Sequence, residues 1–149
     1  MTNLLEKENP CEDPSVSYLS ESYLGNSRNF VSIDRYLSSL FLQIGIPANQ
    51  RGFEFLHKAV QFVIEEPALQ RQLMHGLYPK IAEHFHTTVS CVEHSMRCAI
   101  TIAWKRGRPE LAERLLGRGV ITSYDKPTNG ELIALVAENV RLLLSESSR

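Results

Sequence analysis

The side chains with the widest chemical range in this 149-residue chain fall between His84 and Arg108. Cys91, His94 and Cys98 stand at i, i+3 and i+7, with His84 and His86 close by. Thiolate and imidazole are zinc ligands. On one helix, however, Cys91 and Cys98 are separated by about 10 Å, too far to be the only ligands of one ion without a bend and too far for a disulfide. No metal and no other cofactor is expected. Nor does the chain hold a nucleophile elbow, a phosphate-binding glycine loop or a zincin motif, so it does not read as an enzyme. His57 and His75 sit among apolar residues and read as structural. Tyr78 and Trp104 read as core rather than as base-stacking platforms. What remains is a polar stripe of Ser90, Glu93, His94 and Arg97. These types suit base edges: arginine can bind guanine through two hydrogen bonds, and a carboxylate can accept from cytosine N4. Lys80, Thr87, Thr88, Lys105, Arg106 and Arg108 flank the stripe and suit phosphate or partner contacts.

Such residues act together only if a helix presents them on one edge. Residues 77–100 read LYPKIAEHFHTTVSCVEHSMRCAI. The spacing predicts a short helix with Ile81, Ala82 and Phe85 inward, a tight turn at His86-Thr87-Thr88, and a long helix running to Arg106. This is helix-turn-helix grammar. With Val92 at 0° and roughly 100° per residue, Ser95, Ala99, Ala103, Met96 and Ile100 join Val92 on the buried side. Ser90, Glu93, His94, Arg97 and Thr101 fall at roughly 100° to 200° on the same count. The stripe begins at the helix N-terminus, the end that a recognition helix offers to bases. Thr88 is the expected N-cap and Ala82 the small residue that lets the helices cross closely.

Elsewhere the pattern is helical too. Ile33, Tyr36, Leu37, Leu40, Phe41 and Ile44 trace one helix face after a candidate N-cap at Ser32. A second helix is expected from Phe53 to Glu66, a short one over Ala68–His75 ending at Gly76, and another from Pro109 to Gly117. Thr128 and Glu131 match a capping box before a last helix that carries Ile133, Val136, Val140 and Leu143/Leu144. No segment with a strand period competes with these, so the fold class is all-α, a bundle of about six helices. Residues 1–28 read as an acidic, disordered tail, and 29–149 as the helical DNA-binding domain. Ser17-Tyr18-Leu19 recurs in that tail as Ser22-Tyr23-Leu24.

Charge is close to balanced, 16 Lys+Arg against 17 Asp+Glu, but it is not spread evenly. Residues 1–27 carry five acidic groups and one lysine; residues 71–118 carry eight basic groups and four acidic ones. The bias permits nucleic-acid binding without the pI above about 9 of a strongly electrostatic binder. No run of 18 apolar residues is present, so no membrane association is expected. The N-terminus lacks the regions of a secretory signal, and three cysteines suit a reducing compartment. The expected location is the cytoplasm, on the nucleoid.

The segments IGIPANQRGFEFLHKAV (44–60), LYPKIAEHF (77–85), TTVSCVEHSMRCAITIAWKRG (87–107) and KPTNGELIALVAENVRL (126–142) resemble, in order, the C-terminal effector domain of the stage 0 sporulation response regulator. The likeness covers about two-thirds of the chain, from about Ile44 to Leu142. It implies an all-α domain that binds short promoter boxes on double-stranded DNA, often as tandem protomers or a homodimer, and that contacts the housekeeping sigma factor. Ser90, Glu93 and Arg97 keep the family's residue types. Cys91 and His94 stand where the family has arginine, and Cys98 where it has histidine, so the family's box preference is not assumed for this chain. Lys105, Arg106 and Arg108 fall near the implied sigma-factor region. Residues 1–28 leave no room for the family's phosphorylated receiver, so control through this chain's own phosphorylation is not expected. Two readings stay open: a sequence-specific transcriptional regulator, or a receiver-less protein-interaction module that modulates the full-length regulator or RNA polymerase without binding promoters alone.

Overall fold

The computed structural model describes residues 26–117 and 125–147. Six α-helices form the described chain: α1 (Asn26–Ile44), α2 (Arg51–Glu65), α3 (Tyr78–His84), α4 (Val89–Arg106), α5 (Pro109–Leu116) and α6 (Asn129–Ser147). The fold is all-α, with no strand among the described residues. The tail pairs of Tyr and Leu lie outside those residues.

α2 is the hub. It packs against α4, α6, α1 and α3, and Phe55, Leu56, Ala59, Val60 and Val63 on its inner face are fully buried. Apolar residues three and four apart generate that face, and removing them from water is the main stabilising contribution. α4 crosses α2 at Gly52, where any Cβ would collide with the Ser95 carbonyl and come within 2.7 Å of the Ala99 methyl. The end of α1 meets the end of α4 in the same way, since a Cβ on Gly107 would lie 2.8 Å from the Ile44 carbonyl and 2.9 Å from Gly45 Cα. Gly107 therefore serves close approach, with φ −84° rather than the left-handed value of a usual glycine stop.

Two expectations are corrected. α1 begins at Asn26, so Ser32 lies inside the helix and not at its cap. Residues 67–77 do not form a helix ended by Gly76. Instead a 3₁₀ turn, Pro67–Arg71, is followed by a single wide π turn, Leu73–Leu77, that runs straight into α3. Pro67 starts the tight turn, and burial of Leu69 and Leu77 holds the path of the chain against α2. The capping box forms as expected: Thr128 N donates to Glu131 Oε1 at 3.0 Å, and Glu131 N donates to Thr128 Oγ1 at 3.1 Å. No helix among the described residues is long and apolar enough to cross a membrane.

Candidate nucleic-acid interface

α3 and α4 are joined through Phe85, His86, Thr87 and Thr88. The reversal is made by His86, whose φ of 55° is left-handed, a conformation that costs a non-glycine residue on the order of 1–3 kcal/mol. The turn is secured by Thr87 N donating to the Ala82 carbonyl at 2.9 Å and Phe85 N to the Ile81 carbonyl at 3.0 Å. Thr88 is then extended, and its Oγ1 accepts from Cys91 N at 3.1 Å. This N-cap satisfies one of the free donors of the first turn of α4. Val92, Met96, Ala99, Ile100 and Ala103 are buried, with Ser95 half-buried beside them. Tyr78 is buried as expected, and Trp104 is half-buried against the core.

The opposite edge of α4 is open. Ser90 and His94 are exposed, and the side chains of Glu93 and Arg97 retain 34% and 50% exposure. Arg97 clasps Glu93 through Nε and Nη2, each at 3.1 Å, and Nη2 also approaches His94 Nδ1 at 3.4 Å. The other ring nitrogen of His94, Nε2, lies 3.3 Å from Cys98 Sγ. Hydrogen bonding from Arg97 holds the Glu93 carboxyl below its ordinary range, and the same pair pushes the Arg97 guanidinium up. Arg97 Nη1 has no partner among the described residues. Held on its own helix with one nitrogen open, this arginine has the donor chemistry that can meet a guanine edge.

From below, α4 is tied to α6. Asn129, only 7% exposed, donates from Nδ2 to the Glu93 carbonyl at 3.1 Å. Tyr78 on α3 hydrogen-bonds to the same amide; burial pushes its phenol above the ordinary range despite that bond. Leu73, Met74, Lys126 and Gly130 complete a groove along this flank of Glu93 and Arg97.

The flanking residues expected to meet phosphate or a partner do not form one patch. Thr87 and Thr88 lie at the N-terminal end of α4. Lys105, Arg106 and Arg108 are exposed at its far end, about 22 Å from Ser90 along the axis. Lys80 turns to α2 instead, with Nζ 3.7 Å from Glu66 Oε1 and 4.8 Å from the centre of the Phe62 ring. Cys91 has other partners than His94: its Sγ lies 3.8 Å from Ser95 Oγ, and Arg51 Nη1 approaches it at 3.6 Å. Hydrogen bonding from Thr87 chiefly holds this thiol below its ordinary range. No group of three His, Cys, Asp or Glu side chains among the described residues is placed to hold a metal ion. His57 is half-buried and stacks on Phe53, with Nε2 3.2 Å from the Asp34 carbonyl. His75, by contrast, is exposed and belongs to no apolar cluster.

Arg51 and Asn129 were not among the residues singled out by the sequence. Each meets α4 only through tertiary structure, across 40 and 36 positions of chain, and no local pattern marks either. A family model described as sporulation initiation factor Spo0A C terminal matches residues 37–140 of the chain.

Proposed function

This chain belongs to the Spo0A C-terminal family, a family of DNA-binding regulatory domains rather than enzymes, and from that premise we propose that it is a sequence-specific, double-stranded DNA-binding regulator of transcription. Ser90, Glu93, His94 and Arg97 read bases; Thr87 and Thr88 hold phosphate at the N-terminal end of α4. The observation that carries the reading is the uncovered edge of α4, with the Glu93–Arg97 pair on it and Arg97 Nη1 open. Lys105, Arg106 and Arg108 lie too far along α4 to share one base-reading patch with Ser90, and suit an outer phosphate or the sigma factor of RNA polymerase. Lys80, engaged with Glu66, is the weakest member of the set. Binding as tandem protomers, independence from phosphorylation of this chain, and a place on the nucleoid in the cytoplasm complete the proposal.

The test is selection of random duplexes by the purified protein at controlled salt, followed by titration of Arg97→Ala on the recovered box. The variant should lose about 1–3 kcal/mol of discrimination at one base pair. Lys105→Ala should instead lower the salt slope by about one, leaving the preference intact. A box whose preference and affinity ignore Arg97→Ala removes the assigned reading face. Salt-sensitive binding with no recoverable box would favour the protein-interaction module.

A further inference from the structure

The N-terminal ends of two helices converge beside the turn. Arg51 is the first residue of α2, and Cys91 is the third residue of α4. Gly52 allows this convergence, since a side chain there would strike the Ser95 carbonyl and drive the helices apart. Arg51 is exposed. Its guanidinium lies 5.1 Å from the centre of the buried Phe55 ring, and Nη1 extends over Cys91 Sγ at 3.6 Å. No carboxylate among the described residues pairs with it, Glu54 in the same turn included. Arg97, in contrast, is already committed to Glu93.

We propose that Arg51 is a phosphate-binding residue of the DNA interface, gripping the backbone of the strand that passes the N-terminal end of α4. This rests on the reading of α4 as the helix that enters the major groove. A helix entering N-terminus first brings the sugar-phosphate chain close to its first turn. There the cysteine thiol is too short to reach a phosphate, whereas the guanidinium projecting over it is not. Two helix N-termini add partial positive charge at the same corner. Packing on Phe55 holds the side chain in place before DNA arrives, so less conformational freedom is lost on contact. Because phosphates carry no sequence, Arg51 sets affinity and salt dependence and leaves base preference to the stripe.

The experiment uses the full chain and two duplexes, a box recovered by selection and a scrambled version of it, titrated over a range of salt. Arg51→Ala should weaken binding to both duplexes by a common factor and lower the slope of log K against log salt by about 0.9. Arg51→Lys keeps the charge and should keep the slope. A melting curve close to wild type for either variant establishes that the fold is intact. An unchanged slope in Arg51→Ala, with wild-type protein binding normally, overturns the assignment while leaving the regulator reading standing. A changed preference at a single base pair overturns it as well, because the contact would then be to a base. Wild-type protein that binds neither duplex at any salt overturns both.

Discussion

Arg97 divides its guanidinium unequally, and the reading of α4 proposed above would draw on what Glu93 leaves free. Glu93 takes Nε and Nη2, and Nη1 has no partner among the described residues. A carboxylate one turn away limits the rotamers that arginine explores, and in the proposed reading it would offer an acceptor to cytosine from the same edge. The neighbouring thiols have other partners: Cys91 turns to Arg51 and Ser95, and Cys98 to the imidazole of His94. The lowered thiol at Cys91 can be checked directly. Since Thr87 is the largest cause of the shift, Thr87→Val should move the pH midpoint of Cys91 alkylation upward, read by peptide mass spectrometry. Arg51→Ala should move it in the same direction by less, because its charge is the smaller contribution. An unmoved midpoint in Thr87→Val would deny the hydrogen bond. The polar stripe was legible in the sequence because it depends only on the rotation per residue within one helix. Arg51 was not, because its relation to Cys91 is fixed by how α2 crosses α4.

At the scale of elements, that crossing is the most demanding contact described. Gly52→Ala places a methyl group against the Ser95 carbonyl, which is helical backbone and cannot rotate aside. Overpacking of this kind costs about 1–3 kcal/mol, so the variant should melt several degrees below wild type. Because α4 must shift, affinity for the selected box should fall as well. A melting curve and affinity equal to wild type would show that the helices separate freely. Helix ends were legible wherever a side chain makes the boundary, as at Thr88 and at the Thr128–Glu131 box. They were misread where tertiary packing makes it. Gly76 resembles a stop signal, yet the chain continues through a π turn because Leu77 and Tyr78 are buried against the core. Ser32 resembles a cap, yet helix continues to either side of it.

Across the whole molecule, Tyr78, Asn129 and the Glu93 carbonyl join α3, α6 and α4 at one buried point. This has a pH signature. Burial raises the Tyr78 phenol above its ordinary value of 10.0, so the folded state disfavours the phenolate. The associated stability is complete below pH 10 and declines as pH rises from there toward the folded value. Unfolding in denaturant between pH 9 and 11 should therefore show an alkaline loss that is smaller in Tyr78→Phe than in wild type. An identical loss in the two proteins would mean that the phenol ionises as readily folded as unfolded.

The sequence by itself determined that the chain is helical, which face of each long helix turns inward, and which edge of α4 carries Ser90, Glu93, His94 and Arg97. All of these follow from hydrophobic period and side-chain caps, which act over a few residues. Only the tertiary structure decided that the described residues leave this edge at least partly exposed, that Lys80 turns to Glu66, and that Arg51 and Asn129 reach α4 from elsewhere. Those outcomes depend on close crossings at Gly52, Gly45 and Gly107, where the absence of a side chain leaves no periodic signal to read.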